Sequence, residues 1–179
     1  VPALDPATGQ VSVPANTPAG TYTITYQICE NLNPATCDEG VAAIDVVAAP
    51  ILAADDAPAG VNGGVGNPSV VNAFTNDMLN GSPVNVAAIT ATIVTPPSNP
   101  RVSIDPATGI VSVAPGTPVG NYTITYEICE NLNPANCDQA VVTVPVNPGT
   151  IVADDETVLG IIGMTGAANV LDVVPGDTL

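Results

Sequence analysis

Histidine, tryptophan and lysine are absent from these 179 residues, and a single cation, Arg101, stands against 17 carboxylates for a formal charge of −16. Each absence removes a class of function. With no basic patch to neutralise phosphates, nucleic acid and anionic membrane surfaces are not expected as partners. With no histidine, the hydroxyls of serine and threonine lack the general base that would make them nucleophiles. One Phe and four Tyr are too few to build the aromatic platforms of a sugar cleft, so carboxylate pairs have no setting for glycoside hydrolysis. The expectation is therefore not an enzyme. Missing lysine also removes nearly every trypsin-type cleavage site, which suits a protein outside the cell. No apolar run within this segment is long enough to cross a bilayer, and no basic stretch leads into an apolar core, so neither a membrane span nor a signal peptide is read here.

What is present is a repeat. Leu4 to Gly40 recurs as Ile104 to Ala140 without a gap, at an offset of 100 residues and with 26 of 37 positions identical. Periods of this kind belong to arrays whose units stack or follow one another. Ile51 realigns with Ile151, and Ala54-Asp55-Asp56 is matched to Ala153-Asp154-Asp155 by a one-residue deletion. Three portions follow: 1–49 as the back of one repeat, 50–149 as a complete repeat and 150–179 as the front of the next. The frame is incomplete at both ends, so a window on a longer polypeptide is expected. The alternative is a unit whose front portion completes the back portion of the next copy by strand addition, a polar and open-ended assembly.

The high share of Val, Thr, Ala, Pro and Gly favours short strands and sharp turns. In Tyr122 to Cys129 the residues Tyr122, Ile124, Tyr126 and Ile128 alternate with Thr123, Thr125, Glu127 and Cys129, the period of a half-buried strand. The same parity makes Tyr22, Tyr26, Tyr122 and Tyr126 core residues. Ala140, Val142, Val144 and Val146 continue the inward face after the loop. Asp105-Pro-Ala-Thr-Gly109 reads as a tight hairpin turn, Pro115 to Gly120 as a second turn, and Val84 to Val94 as one or two strands ended by Pro96-Pro97. Asn67-Pro68 and Gly63-Gly64 punctuate the front. About seven strands per repeat with no helical period predict an all-β fold of tandem immunoglobulin-like antiparallel β-sandwich repeats of about 100 residues.

The four cysteines fall as two copies of one spacing, Cys29 with Cys37 and Cys129 with Cys137, each pair on one outward face at a hairpin mouth. Disulfides are expected, and the even count points to an oxidising compartment. Closing a loop of about nine residues contributes roughly 2.5 kcal/mol by chain entropy. The competing reading, a metal thiolate pair, finds no histidine or second pair within a repeat to complete four ligands.

The run from Gly120 to Asp138, preceded by Ile104-Asp-Pro-Ala-Thr-Gly109, resembles the immunoglobulin-like repeats of very large secreted surface proteins from flavobacteria and their relatives. The segment from Ala54-Asp55-Asp56 to Asn76-Asp77-Met78-Leu79-Asn80-Gly81 resembles the front of the same modules. The resemblance covers essentially the whole chain. It implies export and display at an extracellular or cell-surface location, shared by adhesins, stalks and filaments alike, and it implies no activity.

The acids at the repeat front form the candidate site. Asp55 and Asp56 start the repeat beside a junction, and Asp77 joins them if its turn lies at the same pole. Calcium needs six to eight oxygens, which two adjoining modules can supply together. The matching set is Asp154, Asp155 and Asp177, with Glu156 as an extra donor; the competing reading is a solvated acidic face. Two functions result. One is a disulfide-stabilised structural repeat of an extracellular bacterial fibre, whose partners are copies of itself packed head to tail. The other is a passive or calcium-stiffened adhesin stalk, whose glycan- or surface-binding domain lies elsewhere.

Overall fold

The computed structural model describes residues 1–157 together with 159, 163 and 177. Most of 150–179, expected to be the front of a third repeat, therefore lies outside the described residues. The first repeat supplies β1 (Ala3–Leu4), β2 (Val11–Ser12), β3 (Gly20–Cys29) and β4 (Cys37–Val46). The second begins with β5 (Ile51–Leu52), β6 (Val61–Asn62), β7 (Asn67–Asn72), β8 (Met78–Leu79) and β9 (Ser82–Pro83). It continues through β10 (Ile89–Thr95), β11 (Val102–Ile104), β12 (Ile110–Val113), β13 (Gly120–Glu130) and β14 (Cys137–Asn147). Short 3-10 turns at Ala73–Thr75 and Val86–Ala88 are the described helical pieces, and no described helix is long and apolar enough to cross a membrane.

Two sheets make the sandwich of the second repeat. One has the order β10-β13-β14-β6 and the other β11-β12-β7, with β5-β8-β9 forming a small third sheet. Side chains from both large sheets meet in one core, where Ile124, Tyr126, Ile128, Val142 and Val144 from one side pack with Val102, Val111 and Val113 from the other. All the alternating positions of β13 and β14 expected to face inward are buried here. The tandem immunoglobulin-like sandwich is thus the fold, with one departure from pure antiparallel pairing: β6 runs parallel to β14, Val146 opposite Val61 and Asn147 opposite Asn62. A parallel bridge between Asp56 and Val142 precedes it. The chain entering the repeat thereby covers backbone groups of β14 that an edge strand would leave open.

Local chemistry fixes the turns. Asp105 accepts from Ala107 N at 2.9 Å and from the Thr108 hydroxyl at 2.8 Å, and Gly109, at φ +76°, donates back to Asp105 O at 2.8 Å. A side chain at Gly109 would strike Phe74 and would also strain the left-handed backbone. Asp5, Ala7, Thr8 and Gly9 repeat this turn in the first repeat. Asn67-Pro68, read from the sequence as punctuation at the front of the repeat, marks the start of β7. Ser69 N donates to Asn67 Oδ1 at 2.9 Å, so the asparagine opens the strand with a local cap and does not end it.

The two long hairpins have the same register and opposite surroundings. Gly20 to Cys29 pairs with Val46 to Cys37 as Gly120 to Cys129 pairs with Val146 to Cys137. Tyr126 and Ile128 are fully buried, whereas Tyr26 is 40% and Ile28 66% exposed. The core assignment of Tyr26 is therefore corrected, and Tyr22 is half-buried. Parity aims these side chains at an opposing sheet, and residues 1–49 carry only the β1-β2 ribbon on that side.

Candidate functional site

The acidic cluster is assembled by the turn after β7. Asn72 accepts from Phe74 N at 3.0 Å and starts the 3-10 turn Ala73–Thr75, which delivers Asp77 to Tyr126 of β13 and Asn76 to the entering chain at Ala54 and Asp55. Asp77 is completely buried. Its Oδ1 accepts from Ala54 N at 2.8 Å, and the Tyr126 hydroxyl lies 3.0 Å from both carboxylate oxygens. Asn76 donates to the carbonyls of Ala54 and Asp55 at 3.4 and 3.3 Å. Asp55 Oδ1 accepts from Val141 N at 2.8 Å, while the backbone of Asp56 exchanges hydrogen bonds with Val141 and Thr143. The cluster is a seam that stitches the entering chain to β14 and to the turn after β7.

One oxygen in this seam has no partner, Asp56 Oδ2, which is buried without a donor. Burial, then the negative charges of Asp77 and Asp55, push the Asp56 carboxyl up to about 6, against a lowering contribution from Asn76. Asp77 is raised as well, by burial first, with the Ala54 amide and the Tyr126 hydroxyl opposing. The Tyr126 phenol is driven upward by burial and by the Asp77 charge, so it stays protonated and donates.

The structure brings Asp55, Asp56 and Asp77 together beside the middle of β13 and β14, away from the contacts between the repeats, and does not converge their oxygens. Among the described residues, the group of three ligand-type side chains with one atom each inside 4.8 Å is Glu127, Cys129 and Cys137. Both sulfurs there are joined, Cys129–Cys137 at 2.03 Å, and Cys29–Cys37 at 2.02 Å is the first repeat's copy. In the third repeat, Asp154 N donates to Asp177 Oδ1 at 3.0 Å as Ala54 N donates to Asp77, both 23 residues apart. This geometry corrects the one-residue deletion. Asp154 occupies the place of Ala54, Asp155 that of Asp55, and Glu156 that of Asp56, with Asp155 exposed and Glu156 half-buried like their counterparts.

The loop inside each disulfide is itself ordered by a glutamate. Glu130, 5% exposed, accepts from Asn133 Nδ2 and from Asn136 Nδ2, each at 2.9 Å, while Glu130 N donates to Asn136 O and Asn136 N to Asn133 O. Glu30 and Asn33 repeat the arrangement, with Thr36 at the position of Asn136. Sequence reasoning had not singled out Glu130, Asn133 or the Tyr126–Asp77 contact. The recurrence of Glu-Asn-Leu-Asn-Pro in both loops was the available signal for the first two; the third joins residues 49 apart and left none.

No protein-family model and no curated protein matches this chain. Among solved structures it is similar to the protocadherin gamma B2 extracellular cadherin domains 3-6, at 10% identity and a TM-score of 0.44, over 83% of this chain and 38% of that one. It is also similar to mouse cadherin-23 EC22-24, at 14% identity and a TM-score of 0.39, over 83% of this chain and 50% of that one. The human desmocollin-1 ectodomain is matched at 12% identity and a TM-score of 0.35, over 62% and 23%. The chain spans half or less of the length of each. At these scores the sandwich rests on its own sheets, and they define the chain as a tandem immunoglobulin-like repeat protein.

Proposed function

We propose that this chain is a structural repeat segment of an extracellular fibre, non-enzymatic, held in shape by one disulfide per repeat and assembled head to tail by completion of open sandwiches. The observation that carries this reading is the first hairpin. β3 and β4 present the same inward face that β13 and β14 bury, and Leu4, Val11, Tyr26, Ile28 and Ala42 line an apolar groove along it. In the second repeat Phe74 and β7 cover the equivalent face, so a segment like the front of that repeat would cover this groove, whether it comes from the same polypeptide or from another copy. The disulfides support an oxidising, extracellular setting. The bacterial source rests on the motif resemblance alone.

Electron microscopy of the protein in its assembled form tests the reading. β13 has 11 residues, so one sandwich is about 36 Å long. Filaments with a regular axial repeat of that order are expected; single flexible strands ending in a globular tip would overturn the fibre and favour the stalk. The stalk reading in its calcium-stiffened form has one observation of its own, the donorless Asp56 Oδ2 beside Asp55 and Asp77. Calcium there would need oxygens that Tyr126, Ala54 and Val141 now engage. On that reading millimolar calcium raises the melting temperature, and an unchanged melt rejects it.

A further inference from the structure

The disulfide loop of the second repeat is where the first repeat rests. Asn133 Oδ1 accepts from Ala19 N at 2.6 Å, and Asn136 Nδ2 donates to Ala49 O at 2.7 Å. Among the described residues these two hydrogen bonds join 1–49 to 50–149. Pro18, Ala19 and Ala48 line one side of the cleft between them, and Leu132, Pro134 and Ala135 line the other. Contact with the cleft leaves Leu132 37% exposed, against 89% for Leu32 in the free copy of the loop. The amide of Asn133 has a fixed sense: Glu130 accepts its NH2, so its oxygen must face outward to the Ala19 N–H.

Both halves of this contact are duplicated in the chain, each in the same geometry. The turn that docks is braced by Thr17, whose hydroxyl donates to Pro14 O at 2.7 Å, and by Tyr22, whose hydroxyl donates to Pro18 O at 2.8 Å. Thr117 donates to Ala114 O at 2.6 Å and Tyr122 to Pro118 O at 2.8 Å, so Pro118 and Val119 are held in the same pose, with Val119 63% exposed. The loop that receives it recurs as Leu32 to Ala35, where Glu30 accepts from Asn33 Nδ2 and turns Asn33 Oδ1 outward.

From this duplication we infer that the disulfide loop is the socket of the inter-repeat joint, and that the free Leu32–Asn33 socket takes the Pro118–Val119 turn of another copy of the repeat. The disulfide then does two things at once, closing its own hairpin and presenting a fixed surface to the neighbour before it. Thr36 stands where Asn136 donates to the linker carbonyl, so the joint at the first repeat has one hydrogen bond fewer. The inference deepens the array reading by naming the surface through which repeats couple.

Amide exchange in the full chain tests the internal joint. Ala19 N–H is expected to be protected in the parent and in Asn33→Ala, and to lose its protection in Asn133→Ala. An unprotected Ala19 in the parent, or protection retained in Asn133→Ala, overturns the joint. Amides of β13 report whether that variant is folded. Should they open too, Leu132→Ser provides the second reading: residues 20–46 and 120–146 then lose their common rotational correlation time, and an unchanged common value overturns the joint. For the free socket, sedimentation of the full chain at rising concentration is expected to show association that Leu32→Asp and Val119→Asp each abolish, and association indifferent to both overturns the docking. Protection at Ala19 with no filaments would sink the fibre and keep the joint, so the two failures are distinguishable.

Discussion

Tyr126 holds its hydroxyl between the buried Asp77 carboxylate and the carbonyl of Ala73, which lies 3.1 Å away. The phenolic proton is shared among these buried acceptors, and removing it leaves Asp77 with the Ala54 amide as its one remaining named donor. Tyr126→Phe is therefore expected to destabilise the protein by about 1–3 kcal/mol in chemical denaturation, although the ring and its 5.8 Å contact with Phe74 are kept. Asp56 gives a second prediction at this scale. Its folded carboxyl is raised from 3.8 to about 6, so the folded state binds the proton more tightly than the unfolded state does. Stability from this group is full below about 4 and is lost as pH rises through 6, and the raised Asp77 acts in the same direction. The turn carboxylates Asp5 and Asp105, both lowered from 3.8, act oppositely and below that window. The melting temperature should thus rise as pH is lowered from about 7 to about 5, and Asp56→Asn should flatten that slope; a parent melt that falls on acidification over this range contradicts it.

The two hairpins make a controlled comparison at the scale of the element, because sequence and register are nearly the same and only the covering sheet differs. Ile128→Ala opens a cavity in a filled core and is expected to cost about 2–5 kcal/mol in the unfolding of the second repeat. Ile28→Ala removes a side chain that is 66% exposed and should change stability by no more than about 0.5 kcal/mol. Equal costs would mean that the first hairpin is covered after all. The disulfides belong to this scale too. Replacing Cys129 and Cys137 together by serine should lower stability by roughly 2.5 kcal/mol, read in chemical denaturation as a lower midpoint. The strand pattern of these hairpins was legible because period-2 alternation is a local property. β7 was not, because Asn67-Pro68 looks like a break until the strand is seen to begin there, with Asn67 capping Ser69.

Across the whole molecule, the open face of β3 and β4 and the clasp between the Pro18 turn and the Asn133 loop are the two surfaces that the proposed assembly uses. Ile28→Asp is expected to abolish filament formation under the electron microscope while leaving the melt of the second repeat unchanged. Filaments that persist with a charge in the groove would show that the face is not used. A chain of charge −16 repels other copies of itself, so association needs specific contacts and should strengthen as added salt screens the repulsion.

By itself the sequence determined the repeat, the strand parity of the long hairpins, the turn at Asp105 to Gly109 and the pairing distance of the cysteines, because each depends on residues close together along the chain. Tertiary structure alone decided three matters. It buried Tyr126 and left Tyr26 open, since parity says which way a side chain points and not what stands opposite. Bringing Asp77 across 49 residues to Tyr126 made this candidate calcium ligand a buried hydrogen-bond acceptor. The alignment of 150–157 likewise turned on one hydrogen bond, from Asp154 N to the Asp177 carboxylate, where matching letters favour a deletion. In each case the deciding quantity was a distance between residues far apart in sequence, and no local pattern encodes that.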